Sequence, residues 1–112
     1  MTRSLLTPIF LLVLSSAVLA EEPARIKVLI IDGQHNHAWR DTTAFLKDAL
    51  ESTGRFSVDV SSYLKPNDKP GRVPSAPFPP DLSNYQVAIS NYNGQPWPAD
   101  FRTQFAERVQ AG

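Results

Sequence analysis

Arg25-Ile26-Lys27-Val28-Leu29-Ile30-Ile31 is a short, almost continuous apolar run rich in β-branched residues. Such a run is typical of a parallel strand that is buried on both faces of a sheet. The polar segment Asp32-Gly33-Gln34-His35-Asn36-His37 follows it directly. The sequence therefore predicts a central strand over 25–31 that ends in a polar loop.

The next residues predict a helix followed by a second strand. Gly54 stands where a glycine commonly ends a helix, and Phe56, Val58 and Val60 then alternate with polar residues. That alternation predicts a half-exposed strand near an edge of the sheet. The helix itself is predicted from residues that recur at spacings of three and four, namely Trp39, Thr42, Leu46, Ala49, Leu50 and Thr53.

Proline dominates the following segment, with six prolines among the sixteen residues of 65–80. Proline lacks the backbone donor that helices and central strands need, so this segment is predicted to be a long loop. A third strand is predicted over 85–90 and a turn-rich loop over 91–96. Pro98 suits the first turn of a second helix, whose predicted apolar face is Phe101, Phe105 and Val109.

Alternating strands and helices predict an α/β fold, with a parallel sheet covered by helices on both faces. Three strands and two helices would leave part of that sheet uncovered. We therefore expect residues 21–112 to be the N-terminal part of a larger domain that is incomplete at its C-terminus. A small complete fold is the alternative.

Residues 1–20 have the three parts of a secretory signal. Arg3 supplies the positive charge, a mostly apolar stretch follows from Leu5 to Leu19, and Ala20 precedes two glutamates. Cleavage after Ala20 would leave an exported chain, periplasmic or extracellular, with no stable membrane span. An uncleaved membrane anchor is the alternative, although the stretch is shorter than a usual span.

Composition excludes several classes of function. The 112 residues contain no cysteine, which excludes disulfides and thiol chemistry within them. The formal net charge is zero and basic residues form no run, so we expect no nucleic-acid partner. The loop at 32–37 has neither of the glycine patterns that bind nucleotides, so no such cofactor is indicated.

Ligands of open parallel sheets bind beyond the carboxyl ends of the strands. The loop after the first strand holds both histidines of the chain, His35 and His37, near Asp32, Gln34 and Trp39. Side chains two positions apart in an extended segment project on the same side. The two imidazoles therefore suit an acid/base pair or, less readily, two ligands of a divalent metal. Capping or solvated histidines are the alternative.

The loop after the third strand carries Tyr92, Asn93 and Trp97. Aromatic faces that stack on a pyranose, beside amides that bind its hydroxyls, would suit a sugar. Packing of Trp97 against the helix that it precedes is the alternative.

Taken in order, three segments resemble the ThuA-like (trehalose utilisation) domains, whose fold is similar to that of class I glutamine amidotransferases. The segments are 28–39, 46–58 and 85–112, and the likeness spans about 26–112. The resemblance implies a flavodoxin-like three-layer sandwich in a protein of carbohydrate metabolism. It also implies that the family's His-x-Trp element corresponds to His37 and Trp39, whereas a later family histidine has no counterpart here.

Two functions follow from these observations. In the first, the protein acts on a carbohydrate or sugar derivative, with His37 as acid/base and His35 in support. Asp32, Gln34, Trp39, Tyr92, Asn93 and Trp97 would then bind the substrate. In the second, the chain is a non-catalytic module that binds a sugar or a protein. The sequence assigns neither a metal nor an oligomeric state.

Overall fold

The computed structural model describes residues 16–112. Most of the predicted signal segment, residues 1–15, lies outside the described residues. The regular elements are strand β1 (Ile26–Gly33), helix α1 (Trp39–Glu51), strand β2 (Phe56–Ser62), strand β3 (Val87–Tyr92) and helix α2 (Ala99–Ala111). A short 3₁₀ turn, Leu82–Asn84, precedes β3.

The three strands form a parallel sheet in the order β2-β1-β3. The central position of β1 explains its composition, because both faces of a central parallel strand are covered. Val28, Leu29, Ile30 and Ile31 are each no more than 1% exposed. The predicted central strand is confirmed.

Each face of β1 packs against one helical layer. Val28 and Ile30 form a core with Val58 and Val60, and Leu46 and Leu50 of α1 pack against it. On the opposite face, Leu29 and Ile31 form a second core with Phe101 of α2, with Phe105 packed against it. The predicted α/β class and its flavodoxin-like layering, with a parallel sheet between helices, are confirmed.

The loop after β2 contains no helix or strand between residues 63 and 80, as the prolines predict. It runs back along the outer edge of β2, where Ala76 donates its backbone N–H to the carbonyl of Val60 at 2.7 Å. The Ser75 hydroxyl accepts a hydrogen bond from the backbone N–H of Ser62 at 2.9 Å. These contacts shield part of an edge that would otherwise expose unpaired backbone groups.

Some boundaries and faces differ from the predictions. Strand β3 begins two residues later and includes Asn91 and Tyr92, because their pairing with Asp32 and Gly33 continues the ladder. The buried face of α1 includes Thr43, whereas Thr42 and Ala49 are exposed. Val109 is 64% exposed, although it was predicted to lie on the apolar face of α2. No described element covers it.

Candidate functional site

The candidate site lies where the carboxyl ends of β1 and β3 meet. In the order β2-β1-β3, α1 and α2 lie on opposite faces of the sheet, so the chain leaves β1 and β3 toward opposite faces. In open α/β sheets the carboxyl edge at such a position forms a crevice, which is the usual place for a ligand. Both loops predicted to carry chemistry flank this crevice.

Asn91, the penultimate residue of β3, ties the sheet to the start of α1. Its side-chain amide donates to the Thr43 hydroxyl at 3.0 Å and to the backbone carbonyl of Trp39 at 3.3 Å. The N-cap position of α1, Ala38, makes no side-chain capping hydrogen bond. Asn91 therefore fixes the first turn of α1 to the sheet beneath the loop.

Gln34 links the loops that follow all three strands. Its amide nitrogen donates to the carbonyl of Tyr63 after β2 at 3.1 Å. Its amide oxygen accepts the backbone N–H of Gln95 after β3 at 3.1 Å. Gln34 itself has a left-handed backbone, with φ of 47°, and its Cβ lies close to Gly94. The predicted substrate-binding amide thus holds the loops together in this structure.

Asp32 lies at the end of β1 and is only 1% exposed. One carboxylate oxygen accepts the Ser62 hydroxyl at 2.5 Å, and the other has no hydrogen-bond partner among residues 16–112. Burial raises the pKa of Asp32 above its ordinary value, although Ser62 and, more weakly, the Thr43 hydroxyl and the Arg40 charge oppose the rise. Asp32 lies beneath the crevice rather than on its surface.

His35 and His37 project together from the loop after β1, as their spacing predicts. Their ring centroids are 4.9 Å apart. Nδ1 of His35 accepts the backbone N–H of His37 at 3.0 Å. An accepting Nδ1 places the proton of the neutral His35 ring on Nε2, which leaves a donor available to a ligand. His37 is exposed and His35 is half-buried, so a ligand can reach His37 directly.

Trp39 is covered rather than open to ligands, since only 4% of it is exposed. The Arg40 guanidinium lies 4.3 Å from the centre of the Trp39 ring and donates to the carbonyls of Lys69 and Pro70. Gly71 approaches the same ring so closely that a Cβ there would lie 3.2 Å from it. The proline-rich loop therefore packs over Trp39, and a ligand would contact this ring only after the loop moved.

Tyr92, Asn93 and Trp97 line a shallow, open cavity of about 310 Å³ between the end of β3 and the start of α2. The remaining lining residues are Ser90, Gly94, Gln95, Pro96 and Arg102. Tyr92 donates its hydroxyl to the carbonyl of Gln95 at 2.5 Å. Burial, and to a lesser degree the neighbouring Tyr63, raise the pKa of Tyr92, which keeps this donor protonated.

Trp97 forms the apolar wall of this cavity. Its ring lies 5.5 Å from that of Tyr92 and packs edge-on against Phe101 and Phe105, each at 5.3 Å. The packing on α2 that the sequence left as an alternative is present, and the same ring also lines the cavity. Aromatic pairs of this geometry hold a ring in one orientation, which suits a stacking surface.

Within residues 16–112, no three side chains of the metal-binding types come together as a possible metal site. None of the helices in that range is long and apolar enough to cross a membrane.

The fold is similar to that of a solved structure. The crystal structure of a protein described as ThuA-like, from Parabacteroides merdae ATCC 43184, is 37% identical to this chain and superposes with a TM-score of 0.67. The likeness supports the ThuA-like family. The match covers 80% of this chain but 30% of the ThuA-like chain, so this chain spans less than a third of that relative. No family model matches the sequence, and no curated protein matches it with significance.

Sequence reasoning missed three residues that shape the site, namely Thr43, Tyr63 and Arg102. Thr43 was not predicted because the helical pattern placed Thr42 on the buried face instead. Tyr63 contributes through its backbone carbonyl, which carries no sequence signal. Arg102 lies one position past the buried Phe101, and only the location of the cavity shows that it reaches the same loop as Tyr92.

Proposed function

We propose that the chain is the N-terminal part of a ThuA-like domain in an exported protein of carbohydrate utilisation. Its scaffold would be of the class I glutamine amidotransferase type. The 37% identity over 80% of this chain supports the family, and the 30% coverage of the relative supports a longer domain. Export rests on the signal pattern of residues 1–20.

The sugar or sugar derivative would bind at the carboxyl edge of the sheet. The observation that carries this proposal is that the histidine loop and the aromatic loop are held together there by Gln34 and Gln95. Trp97 and Tyr92 offer an oriented aromatic wall, and Asn93 is an exposed amide beside it. Sugars need both features, because their rings stack on aromatic faces while their hydroxyls require hydrogen bonds.

His37 would act as the acid/base group and His35 would support it. The hydrogen bond from the His37 backbone to Nδ1 of His35 holds the His35 ring beside His37. An exposed imidazole can exchange a proton with a sugar hydroxyl near neutral pH. Asp32 and Trp39, which are buried, would position the loop rather than touch the substrate.

A pair of variants tests the catalytic assignment. Sugar consumption by the full-length protein should collapse in His37→Ala, while sugar affinity changes little. In His35→Ala the loss should be smaller, because His35 acts through His37. Arg55→Gln, an exposed change in the turn before β2, is the matched control. Binding without any consumption in the unmodified protein would contradict catalysis and favour the non-catalytic binding module.

A further inference from the structure

The cavity between β3 and α2 has a charge that a neutral sugar would not require. Arg102 is the one charged residue among the lining residues in the described part of the chain. It is exposed, and within residues 16–112 its guanidinium makes no ion pair and no hydrogen bond. Two other arginines near the loops have partners, because Arg40 donates hydrogen bonds to two backbone carbonyls and Arg72 forms an ion pair with Asp41.

The start of helix α2 favours the same kind of ligand. Helix α2 begins at the rim, and its N-cap position, Pro98, provides no side-chain cap for the first amides. Free amides at a helix start carry partial positive charge. Asp100 lies in that first turn but does not line the cavity.

We propose that the ligand of this cavity is an acidic sugar whose carboxylate pairs with Arg102, an inference that rests on the proposed sugar-binding function. The guanidinium presents parallel N–H donors that match the two oxygens of a carboxylate. The sugar ring would stack on Trp97, and the Asn93 amide would take its hydroxyls. Recognition therefore combines a stacking wall with one positive charge, and the ligand class is a uronic acid.

The test compares glucuronate with glucose, which differ by the carboxylate, using isothermal titration and the indole N–H resonance of Trp97. The unmodified protein should bind glucuronate about tenfold more tightly than glucose, as one charge-assisted hydrogen bond at an exposed site allows. Arg102→Gln should remove that preference, so that the two sugars bind with similar affinity. Arg55→Gln should retain it. Because the Arg102 side chain makes no hydrogen bond or ion pair within residues 16–112, its replacement should leave the fold intact.

The outcomes distinguish the acidic-sugar inference from the proposed sugar-binding function. Equal affinity for the two sugars, or a preference that survives in Arg102→Gln, would overturn the acidic-sugar inference and leave sugar binding in place. Absence of binding by either sugar would overturn the proposed function itself. Rising salt should weaken the preference for glucuronate without affecting glucose, because screening acts only on the charged ligand.

Discussion

Replacing Gln34 with alanine should loosen the candidate site. The side chain makes two hydrogen bonds of 3.1 Å, to Tyr63 and from Gln95. A typical hydrogen bond contributes about 1 kcal/mol net, so Gln34→Ala should lower the free energy of unfolding by about 2 kcal/mol. Alanine keeps the Cβ, so the left-handed backbone at this position is unchanged.

Two further variants separate the effect of the lost hydrogen bonds from the effect of backbone strain. Gln34→Gly also loses both hydrogen bonds, but glycine adopts a φ of 47° without strain, which offsets about 1 kcal/mol of the loss. Gln86→Ala is the matched control, since Gln86 accepts one hydrogen bond, from the backbone of Lys27, at the opposite edge of the sheet. It should cost about 1 kcal/mol and leave the site loops unchanged.

Urea denaturation followed by tryptophan fluorescence measures the stability, and hydrogen exchange of the Gln95 amide measures the loop contact directly. In Gln34→Ala this amide should exchange faster, whereas Gln86→Ala should leave its protection unchanged. If Gln34→Ala costs no more than Gln86→Ala and the Gln95 amide keeps its protection, Gln34 does not hold the loops together.

Three further changes test the core, the turn and the buried acid. Leu29→Ala should cost about 3 kcal/mol in denaturant titration, because this side chain is fully buried and its removal leaves a cavity. Gly33→Ala should lower the free energy of unfolding by at least about 2 kcal/mol, because its φ is 109° and the new Cβ would collide with the Tyr63 carbonyl. Gly54→Ala, with open space around the new Cβ, should lower it by about 1 kcal/mol. The raised pKa of Asp32 means that the folded state holds this proton more tightly than the unfolded state does. The free energy of unfolding should therefore fall as the pH rises from the ordinary aspartate pKa through the raised value. Thermal melting across the acidic range should show that decline in the unmodified protein relative to Asp32→Asn, and parallel pH profiles would contradict it.

The sequence was sufficient for the layered fold because the patterns of β1 and β2 leave little choice. An apolar run of this length followed by a polar loop is accommodated as a buried parallel strand, and β1 is that strand. The proline content of 65–80 likewise excluded regular structure. The buried face of α1 was harder to predict, because a shift of one residue exchanges Thr42 for Thr43. In the structure Thr43 is the residue that accepts the hydrogen bond from Asn91.

The meeting of the two loops at one edge was predictable from the sequence, but the hydrogen bonds that join them were not. Parallel topology brings the loops after β1 and β3 to one edge, which the sequence anticipated. The cover over Trp39 depends on carbonyls of Lys69 and Pro70, and backbone acceptors carry no residue-specific signal. The role of Gln34 depends on a left-handed backbone that a non-glycine residue rarely adopts. Contacts of this kind become visible only in three dimensions.

The most direct test of sugar binding at the carboxyl edge is a titration of the ¹⁵N-labelled protein with trehalose and with glucuronate, followed by amide and indole resonances. We expect saturable shifts confined to residues 34–37 and 91–97 with both sugars, joined by Arg102 with glucuronate, and with the Trp97 indole among the largest. Resonances of β2 and of the α1–β2 turn should stay in place. Shifts that avoid both loops, or no shift with either sugar, would contradict the central claim.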